Sequence, residues 1–373
     1  MEIGIIGLPN VGKSTLFNAL TNLSVPAENF PFTTIEPNVG IVPLPDERLQ
    51  KLAEIFNPQK LTSATVKFID IAGLVKGASE GQGLGNKFLS NIRDVDALIQ
   101  VVRLFEGKNV ANVINKINPF EEISIIETEL LLADLEQAQK AKERHSGAAR
   151  TGDAESKSRV ESLEKLIESF NKGIPARNQT VIASRFPSPL AGEGGGEGKA
   201  ISSFNFLTSK QIIYVLNYDD DTPAGLLEKT TNYVKKEKNA QALSVNASLE
   251  FELSKMSPGE QQAFRKELGI GADVIDEIIK SSFNILGLIR FYTVVGTEVR
   301  AWSIKQGTSA KSAAGKIHSD MEKGFIKAEV YPFNQLIEFG SEKTLHEKGL
   351  VRVEGRDYIV RDADILKIKF HTD

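Results

Sequence analysis

The sequence predicts an α/β fold in which the main domain has a mostly parallel sheet. Short apolar runs rich in β-branched residues recur along the chain, and the segments between them are long enough for helices or crossover connections. Apolar strands that alternate with such connections are typical of a parallel sheet covered on both faces. The predicted strands are Ile3–Ile6, Val39–Val42, Val66–Ile69, Ala97–Val102, Ile212–Leu216 and Ala242–Val245.

A helical insertion is predicted where this series of strands is interrupted, after Val102. Apolar residues follow the three-and-four spacing of a helix from Glu121 to His145 and again from Val160 to Phe170, and a turn-forming segment, Gly147–Asp153, separates the two stretches. This pattern favours an antiparallel helical hairpin or coiled coil. The alternative is that both helices simply pack against the main domain.

The segment 185–199 differs in composition from the rest of the insertion. It is rich in Gly and Pro and has almost no residue to bury, so neither a helix nor an interior strand is expected there. We predict a flexible loop and assign it no function.

A last, small domain of mixed α and β structure is predicted after Leu286. A helical stretch, Pro258–Ser282, precedes it, and several β-rich runs follow. These runs are Leu288–Val295, Val299–Ile304, Ala328–Pro332, Leu350–Val353, Tyr358–Val360 and Ile365–Phe370. The predicted division is therefore a main domain (1–120 and 207–284), the insertion (121–206) and a last domain (285–373).

Composition excludes several classes of protein. A net charge of −4 gives no overall field to hold polyanions, so we expect no DNA partner and only local contact with other nucleic acids. The absence of cysteine excludes disulfides, thiolate metal sites and cysteine nucleophiles. No apolar run approaches the ~18 residues of a membrane span, and the first residues do not resemble a secretion signal. We expect a cytoplasmic protein without a membrane partner.

A phosphate-binding loop is predicted at Gly7–Ser14, because Gly-Leu-Pro-Asn-Val-Gly-Lys-Ser fits the pattern G-x-x-x-x-G-K-[ST] between a strand and a helix-compatible run. Backbone N–H groups of such a loop and of the following helix form a positive nest around the β-phosphate. Lys13 then neutralises the β- and γ-phosphates, and the Ser14 hydroxyl is a ligand for Mg²⁺. The predicted nucleotide-binding residues here are Asn10, Val11, Gly12, Lys13, Ser14 and Thr15.

A metal-binding and γ-phosphate-binding segment is predicted downstream of this loop. The strand Val66–Ile69 leads into Asp70-Ile71-Ala72-Gly73, a D-x-x-G motif in which Asp70 holds the Mg²⁺ shell and the Gly73 N–H meets the γ-phosphate. Between the two motifs, Thr34 is a candidate to close over the metal as part of a switch loop. The predicted catalytic residues are Lys13, Thr34 and Gly73, and the predicted metal ligands are Ser14, Thr34 and Asp70.

Two polar segments at strand ends predict a base pocket. Asn217-Tyr218-Asp219-Asp220 follows one apolar strand, and Asn246-Ala247-Ser248 follows the next. In an α/β sheet both positions face the crevice in which a nucleotide base binds. The predicted base-binding residues are Asn217, Tyr218, Asp220, Asn246, Ala247 and Ser248, and the order of motifs indicates a P-loop NTPase with a G-domain.

These motifs resemble those of the Obg-related NTPases and, more narrowly, of the Obg-like ATPase family called YchF in bacteria. The resemblance rests on Gly7–Thr21, Asn29–Gly40, Asp70–Ala78 and Gly81–Leu89, and it extends to a C-terminal TGS domain ending in Gly355–Val360. It implies a Mg²⁺-dependent ATPase associated with ribosomes. Asn10 matches a position from which some Obg-like enzymes ligate a monovalent cation, so K⁺ is a second expected cofactor; a loop-stabilising asparagine is the alternative.

The choice between ATP and GTP depends on the base pocket. True GTPases carry Asn-Lys-x-Asp, whereas this chain has Tyr218 in place of the lysine, so the guanine clamp is incomplete. Asp220 retains the acid that can bind guanine. The amide of Asn217 can donate to adenine N7 and accept from N6, and we therefore favour ATP over GTP.

Two further residues predict slow intrinsic hydrolysis. Leu74 follows the D-x-x-G motif where Ras-like enzymes place the glutamine that orients water, and Asn112 stands where family members often have a histidine. An amide orients water but cannot act as a general base. These residues leave open a nucleotide-gated binding protein whose turnover is incidental.

A lysine-rich stretch in the last domain is a candidate RNA contact. Five lysines, together with Trp302 and Phe325, offer cations for phosphates and aromatic rings for stacking on bases of ribosomal RNA or tRNA. The alternative is an ordinary solvated face. The lysines are Lys305, Lys311, Lys316, Lys323 and Lys327.

Overall fold

The computed structural model describes residues 1–22, 38–71, 84–106, 117–179, 204–271 and 273–371. The chain forms two compact units. The first comprises 1–40 and 67–275, and the second comprises 41–66 and 276–373.

The first sheet has the strand order β2-β4-β1-β5-β6-β7, and β1 pairs in parallel with β4 and β5, as β6 does with β5 and β7. Every residue of β5 and β6 is buried, which explains why these runs are mostly apolar and do not alternate with polar residues. The predicted parallel sheet is confirmed. Its strands are β1 (Glu2–Ile6), β2 (Val39–Pro43), β4 (Thr65–Asp70), β5 (Ala97–Arg103), β6 (Ile212–Asn217) and β7 (Gln241–Val245).

Parallel pairing brings the carboxyl ends of these strands to one side of the sheet, which we call the carboxyl edge. Adjacent strands there end in Asp70, in Ile6 followed by the phosphate loop, in Arg103 and in Asn217. The fold therefore places the residues predicted to bind nucleotide side by side, although they lie far apart in the sequence.

The predicted helical insertion is confirmed as two antiparallel helices, α4 and α5. Leu131, Leu163 and Phe170 belong to its buried apolar cluster. The buried Asp134 of α4 connects the insertion to the segment before β6. Its carboxylate accepts hydrogen bonds from the backbone N–H groups of Leu207 and Thr208. The first unit contains α1 (Lys13–Thr21), α3 (Leu84–Asp94), α4 (Pro119–Arg150), α5 (Ala154–Asn171), α6 (Leu226–Glu237), α7 (Ala247–Leu253) and α8 (Pro258–Glu267).

The helix predicted over Pro258–Ser282 is wrong in one respect, because the structure divides it into α8 and α9 (Val274–Ile285). Gly269, just after α8, has a positive φ of 64°, which ends the helix in the left-handed conformation that glycine adopts at little cost.

The second sheet has the strand order β11-β10-β12-β8-β9-β3. Its buried cluster includes Phe291, Ala313 and Val330. The strands are β3 (Lys60–Thr62), β8 (Leu288–Val295), β9 (Glu298–Lys305), β10 (Phe325–Pro332), β11 (Arg352–Glu354) and β12 (Asp364–Phe370); the helices are α2 (Glu47–Phe56), α10 (Ala310–Ile317), α11 (Ser319–Lys323), α12 (Phe333–Phe339) and α13 (Glu342–Glu347).

Residues 41–66, which the sequence analysis placed in the main domain, pack with the C-terminal residues instead. Strand β3 pairs in parallel with β9, and the carboxylate of Asp46 accepts a 2.8 Å hydrogen bond from the Tyr292 hydroxyl. Arg48 forms a 2.7 Å ion pair with Asp362. The division into three domains stays a prediction.

The predicted strand Tyr358–Val360 is also wrong, since only an isolated bridge from Ile359 to Ser309 forms there. The Tyr358 hydroxyl donates to Asp364 at 2.7 Å, which fixes this segment as a turn before β12. No helix in the described part of the chain is long and apolar enough to cross a membrane.

Candidate nucleotide site

The phosphate loop has the backbone shape that an anion nest requires. Asn10 and Gly12 both have positive φ values, 63° and 95°, and Gly12 is the N-cap of α1. Residues in this conformation turn successive N–H groups toward one concave surface, and the N-terminus of α1 adds the positive end of its dipole.

Glycine is required at Gly12 for a second reason besides its backbone angle. A Cβ atom at this position would lie 2.2 Å from Nδ2 of Asn217. At Gly7 a Cβ would lie 2.7 Å from the carbonyl oxygen of Val101. The loop therefore packs tightly against the ends of two other strands.

Lys13 lies at the base of the loop and is 8% exposed. Its Nζ donates to the carbonyl oxygen of Leu8 at 3.1 Å, which holds the ammonium under the loop. Burial lowers the pKa of Lys13 from its ordinary value, and the negative charge of Asp70 opposes this effect. A buried cation with one carbonyl partner is well placed to gain an anionic ligand.

Two of the three predicted metal ligands, Ser14 and Asp70, meet across the carboxyl edge. The Ser14 hydroxyl donates to Oδ2 of Asp70 at 2.8 Å. The other carboxylate oxygen, Oδ1 of Asp70, is buried and has no hydrogen-bond partner among the described residues. An orphaned carboxylate oxygen beside a hydroxyl is a donor set that suits a hard divalent cation.

Asn217 connects the phosphate loop to the start of α7. Its Nδ2 donates to the carbonyl oxygen of Val11 at 2.9 Å, and its Oδ1 accepts from the backbone N–H of Ala247 at 3.1 Å. The side chain is 4% exposed. Asn217 therefore joins three segments of backbone, a role that the sequence alone did not indicate.

The other residues of the predicted base pocket occupy different environments. Asn246 is the N-cap of α7, and its side chain accepts from Leu249 N at 3.1 Å. Ala247 is buried, Tyr218 is half-buried, and Asp220 and Ser248 are exposed. The structure brings the two segments together through Asn217 and the hydrogen bond from Tyr218 N to Val245 O.

Several predicted residues lie outside the described residues. Among the catalytic candidates these are Thr34 and Gly73. Leu74 and Asn112, from which slow hydrolysis was predicted, and the segment 185–199 also lie there.

Comparisons with known proteins agree over almost the whole chain. A protein from Bacillus subtilis named "Ribosome-binding ATPase YchF" is 43% identical over 100% of this chain and 99% of its own length. A protein of the same name from Escherichia coli O157:H7 is 42% identical over 99% of both chains. This chain belongs to the YchF family.

A solved structure and two family profiles agree with that membership. The structure titled "Structure of the Schizosaccharomyces pombe YchF GTPase" matches with a TM-score of 0.82 and 32% identity, covering 99% of this chain and 97% of that chain. Residues 288–371 match the family YchF-GTPase_C, described as a protein of unknown function (DUF933). Residues 2–133 match a family described as a 50S ribosome-binding GTPase.

In this YchF-family chain one of the two aromatic residues of the lysine-rich stretch, Phe325, is buried, so its predicted role in base stacking is wrong, whereas Trp302 is half-buried and its role stays a prediction. Trp302 stacks on Phe291 and donates its indole N–H to Thr293 at 2.9 Å, and Phe325 belongs to the buried cluster. Pairing with Phe291 on β8 sets the face of Trp302, whereas a register shift between Phe325 and Lys327 puts Phe325 on the same face as Ala328 and Val330. None of the five lysines forms an ion pair with a described residue, and four of them are exposed.

Sequence reasoning missed a contact between two buried residues, Arg103 at the end of β5 and Glu122 on α4. Helix α4 begins at Pro119 with Asn118 as its N-cap, which places Glu122 in the first turn. Oε2 of Glu122 accepts the backbone N–H of Arg103 at 3.1 Å. Burial raises the pKa of Glu122 to about 7, although the N–H and the charge of Arg103 act in the opposite direction. The available signal was an arginine at the end of a mostly apolar strand.

Proposed function

We propose that this protein is a Mg²⁺-dependent ATPase that acts in the cytoplasm and binds ribosomes through ribosomal RNA or tRNA. One observation carries the proposal: Lys13, Ser14 and Asp70 lie together on the carboxyl edge, beside a loop whose N–H groups form an anion nest. The names of the bacterial relatives, which state ATPase activity and ribosome binding for those proteins, support it.

The donor set at this edge fits the proposed metal. Ser14 Oγ and the orphaned Oδ1 of Asp70 are hard oxygen ligands of the kind that Mg²⁺ prefers. The ion supplies positive charge to the β- and γ-phosphates when it is bound. Thr34 is proposed as a further ligand.

The chain's own residues bind and orient the triphosphate. The loop N–H groups from Asn10 to Thr15 hold the β-phosphate, and Lys13 compensates the charge that develops on the β- and γ-oxygens. The Gly73 N–H is proposed to meet the γ-phosphate. A K⁺ ion at Asn10 would add charge on the same side, and comparing turnover in K⁺ with turnover in Na⁺ tests that site.

ATP is proposed over GTP because Tyr218 cannot cover guanine as the lysine of true GTPases does. A GTPase of the same fold is the second candidate, which Asp220 and the name of the yeast structure favour. The test is a pair of dissociation constants, for ATP and GTP, in the wild type and in Tyr218→Lys. We expect ATP to bind more tightly in the wild type and the variant to shift toward GTP. A wild type that prefers GTP about tenfold, or 1.4 kcal/mol, would identify a GTPase instead.

A nucleotide-gated binding protein with incidental turnover is the third candidate, because Leu74 and Asn112 supply no general base. Turnover measured with and without ribosomes separates it from the leading proposal. We expect ribosomes to raise the rate of ATP hydrolysis. A rate that stays near background while nucleotide still controls cosedimentation with ribosomes would favour the gated binding protein.

A further inference from the structure

Four adjacent strands end at the carboxyl edge, and one of these ends has no role in the proposed function. Asp70 ends β4 and is proposed to bind the metal, and the phosphate loop follows β1 and is proposed to bind the phosphates. Asn217 ends β6 and fixes the geometry of the loop. Arg103 ends β5, between the phosphate loop and Asn217. An arginine at this position is directly beside the nucleotide nest.

The guanidinium of Arg103 is buried with donors unused. Arg103 is 3% exposed, and both Nε and Nη1 lack a hydrogen-bond partner among the described residues. The guanidinium lies over the ring of Phe105, with its carbon 5.8 Å from the ring centre. A buried cation with unmade hydrogen bonds is costly, and an acceptor that arrives with a ligand would remove this cost.

The nearby carboxylate does not satisfy this cation. Oε2 of Glu122 accepts the backbone N–H of Arg103, and no ion pair joins the two side chains among those the structure describes. The paired buried arginine elsewhere in the same unit is different: Arg177 binds Glu127 at 2.6 Å with 8% of its side chain exposed.

Strand register gives the direction of the Arg103 side chain. Arg103 is in register with Asn217 on the parallel strand β6, so both side chains leave the sheet on the same face. On that face Asn217 Nδ2 reaches the carbonyl oxygen of Val11, in the phosphate loop, at 2.9 Å. The free donors of Arg103 therefore belong to the face of the sheet on which the phosphate loop lies.

We propose that Arg103 is a second phosphate-directed cation of the nucleotide site, which donates from Nε and Nη1 to the bound triphosphate. Lys13 approaches the nest from beneath the loop, whereas Arg103 approaches from the end of the next strand. Two planar donors suit phosphate oxygens better than the single point charge of a lysine. This inference rests on the proposed nucleotide-binding function and adds a recognition residue to it.

The test measures how affinity depends on phosphate number. Dissociation constants for adenosine, ADP and the β,γ-imido analogue of ATP are measured in the wild type, in Arg103→Met and in the control Arg177→Met. We expect Arg103→Met to weaken the triphosphate analogue by about tenfold or more, to weaken ADP less and to leave adenosine unchanged. Arg177→Met should leave the ratio of analogue to ADP affinity as it is in the wild type.

Thermal unfolding without nucleotide separates this role from a structural one. Arg103→Met removes a buried cation whose Nε and Nη1 have no hydrogen-bond partner among the described residues, so its melting temperature should equal or exceed that of the wild type. Arg177→Met leaves Glu127 without its arginine and should melt lower. A lower melting temperature for Arg103→Met together with an unchanged affinity ratio would overturn this inference and would leave the proposed function standing. A wild type that binds no triphosphate would overturn the proposed function as well.

Discussion

The two halves of the carboxyl edge use similar polar residues in opposite ways. In the half formed by β1 and β4, the orphaned Oδ1 of Asp70 and the exposed Ser14 remain available to a ligand. In the half formed by β6 and β7, the amides of Asn217 and Asn246 already bond to backbone groups. The phosphate half is therefore prepared for chemistry, whereas the base half mainly holds loops in place.

This difference limits how Asn217 can contact a base. Its Oδ1 is already the acceptor for Ala247 N, and one of its two N–H groups donates to Val11 O. The remaining N–H suits N7, an acceptor that adenine and guanine share. We infer that Asn217 binds either purine and that Tyr218 and Asp220 determine the choice between them.

The largest effect is expected in the phosphate half, at Lys13→Ala. The β- and γ-phosphates lose their direct counter-charge in a buried site, so ATP binding should weaken beyond detection or turnover should cease. Equilibrium binding and phosphate release measure this, with the exposed Lys229→Ala as the control. Wild-type affinity and turnover in Lys13→Ala would contradict the assignment of the phosphate loop.

Asp70→Asn tests the metal side of the same half. The variant keeps the size of the side chain but loses its negative charge, so Mg²⁺ should no longer support hydrolysis at the wild-type concentration. We expect turnover to fall about 100-fold or more while binding of ATP without Mg²⁺ is retained. An unchanged Mg²⁺ dependence would exclude Asp70 from the metal shell.

In the base half, Asn217→Ala should act on stability. The change leaves Val11 O and Ala247 N without their partners, at about 1–3 kcal/mol each, or about 2–6 kcal/mol together. Asn246→Ala removes a single cap and should cost only about 1 kcal/mol. Urea unfolding of both variants measures the difference, and equal losses would show that Asn217 does not join the two loops.

Glu122→Gln, in the first turn of α4 and bonded to the end of β5 between the two halves, should alter the pH dependence of stability. Because its folded pKa is raised to about 7, the folded protein holds a proton that the unfolded chain loses near pH 4.5, and stability falls as pH rises across this range. Glutamine keeps the oxygen that accepts from Arg103 N, but it does not titrate, so the variant does not lose this stability as the pH rises. The variant should gain at most about 3 kcal/mol over the wild type at pH 8 and less at pH 5.

Urea unfolding at both pH values provides the comparison. The exposed Glu161→Gln on α5 is the control, and its difference from the wild type should not change with pH. A gain for Glu122→Gln that is the same at pH 5 and pH 8 would show that Glu122 is ionised throughout.

The phosphate half was predictable from sequence because its chemistry is local. A strand, eight residues of loop and a helix are consecutive, and the glycines fix the backbone whatever the rest of the chain does. The role of Asn217 was not predictable, because hydrogen bonds to backbone groups of distant segments leave no periodic pattern. Asn246 makes a local bond as the N-cap of α7, whereas the sequence analysis predicts a base-binding group there. Both asparagines resemble ligand groups in sequence.

Long-range packing explains the other differences. Strand β3 has only three residues, and its place beside β9 depends on a pairing across more than 200 residues of sequence. Phe325 resembled a stacking group because it lies among lysines, whereas a register shift in its strand turns it into the core. Arg103 gave no sequence signal beyond its type, because its unused donors are visible only once its neighbours are placed.

According to this account, the base half holds loops in place, and Tyr218 and Asp220 determine the base choice. The most direct test is the ratio of the dissociation constants for GTP and ATP in Asn217→Ala. The measurement is made below the melting temperature of the variant. We predict that both nucleotides weaken by the same factor, so the ratio stays within about twofold of the wild type. A ratio that changes about tenfold or more, or 1.4 kcal/mol, would show that Asn217 itself distinguishes the bases and would contradict the account.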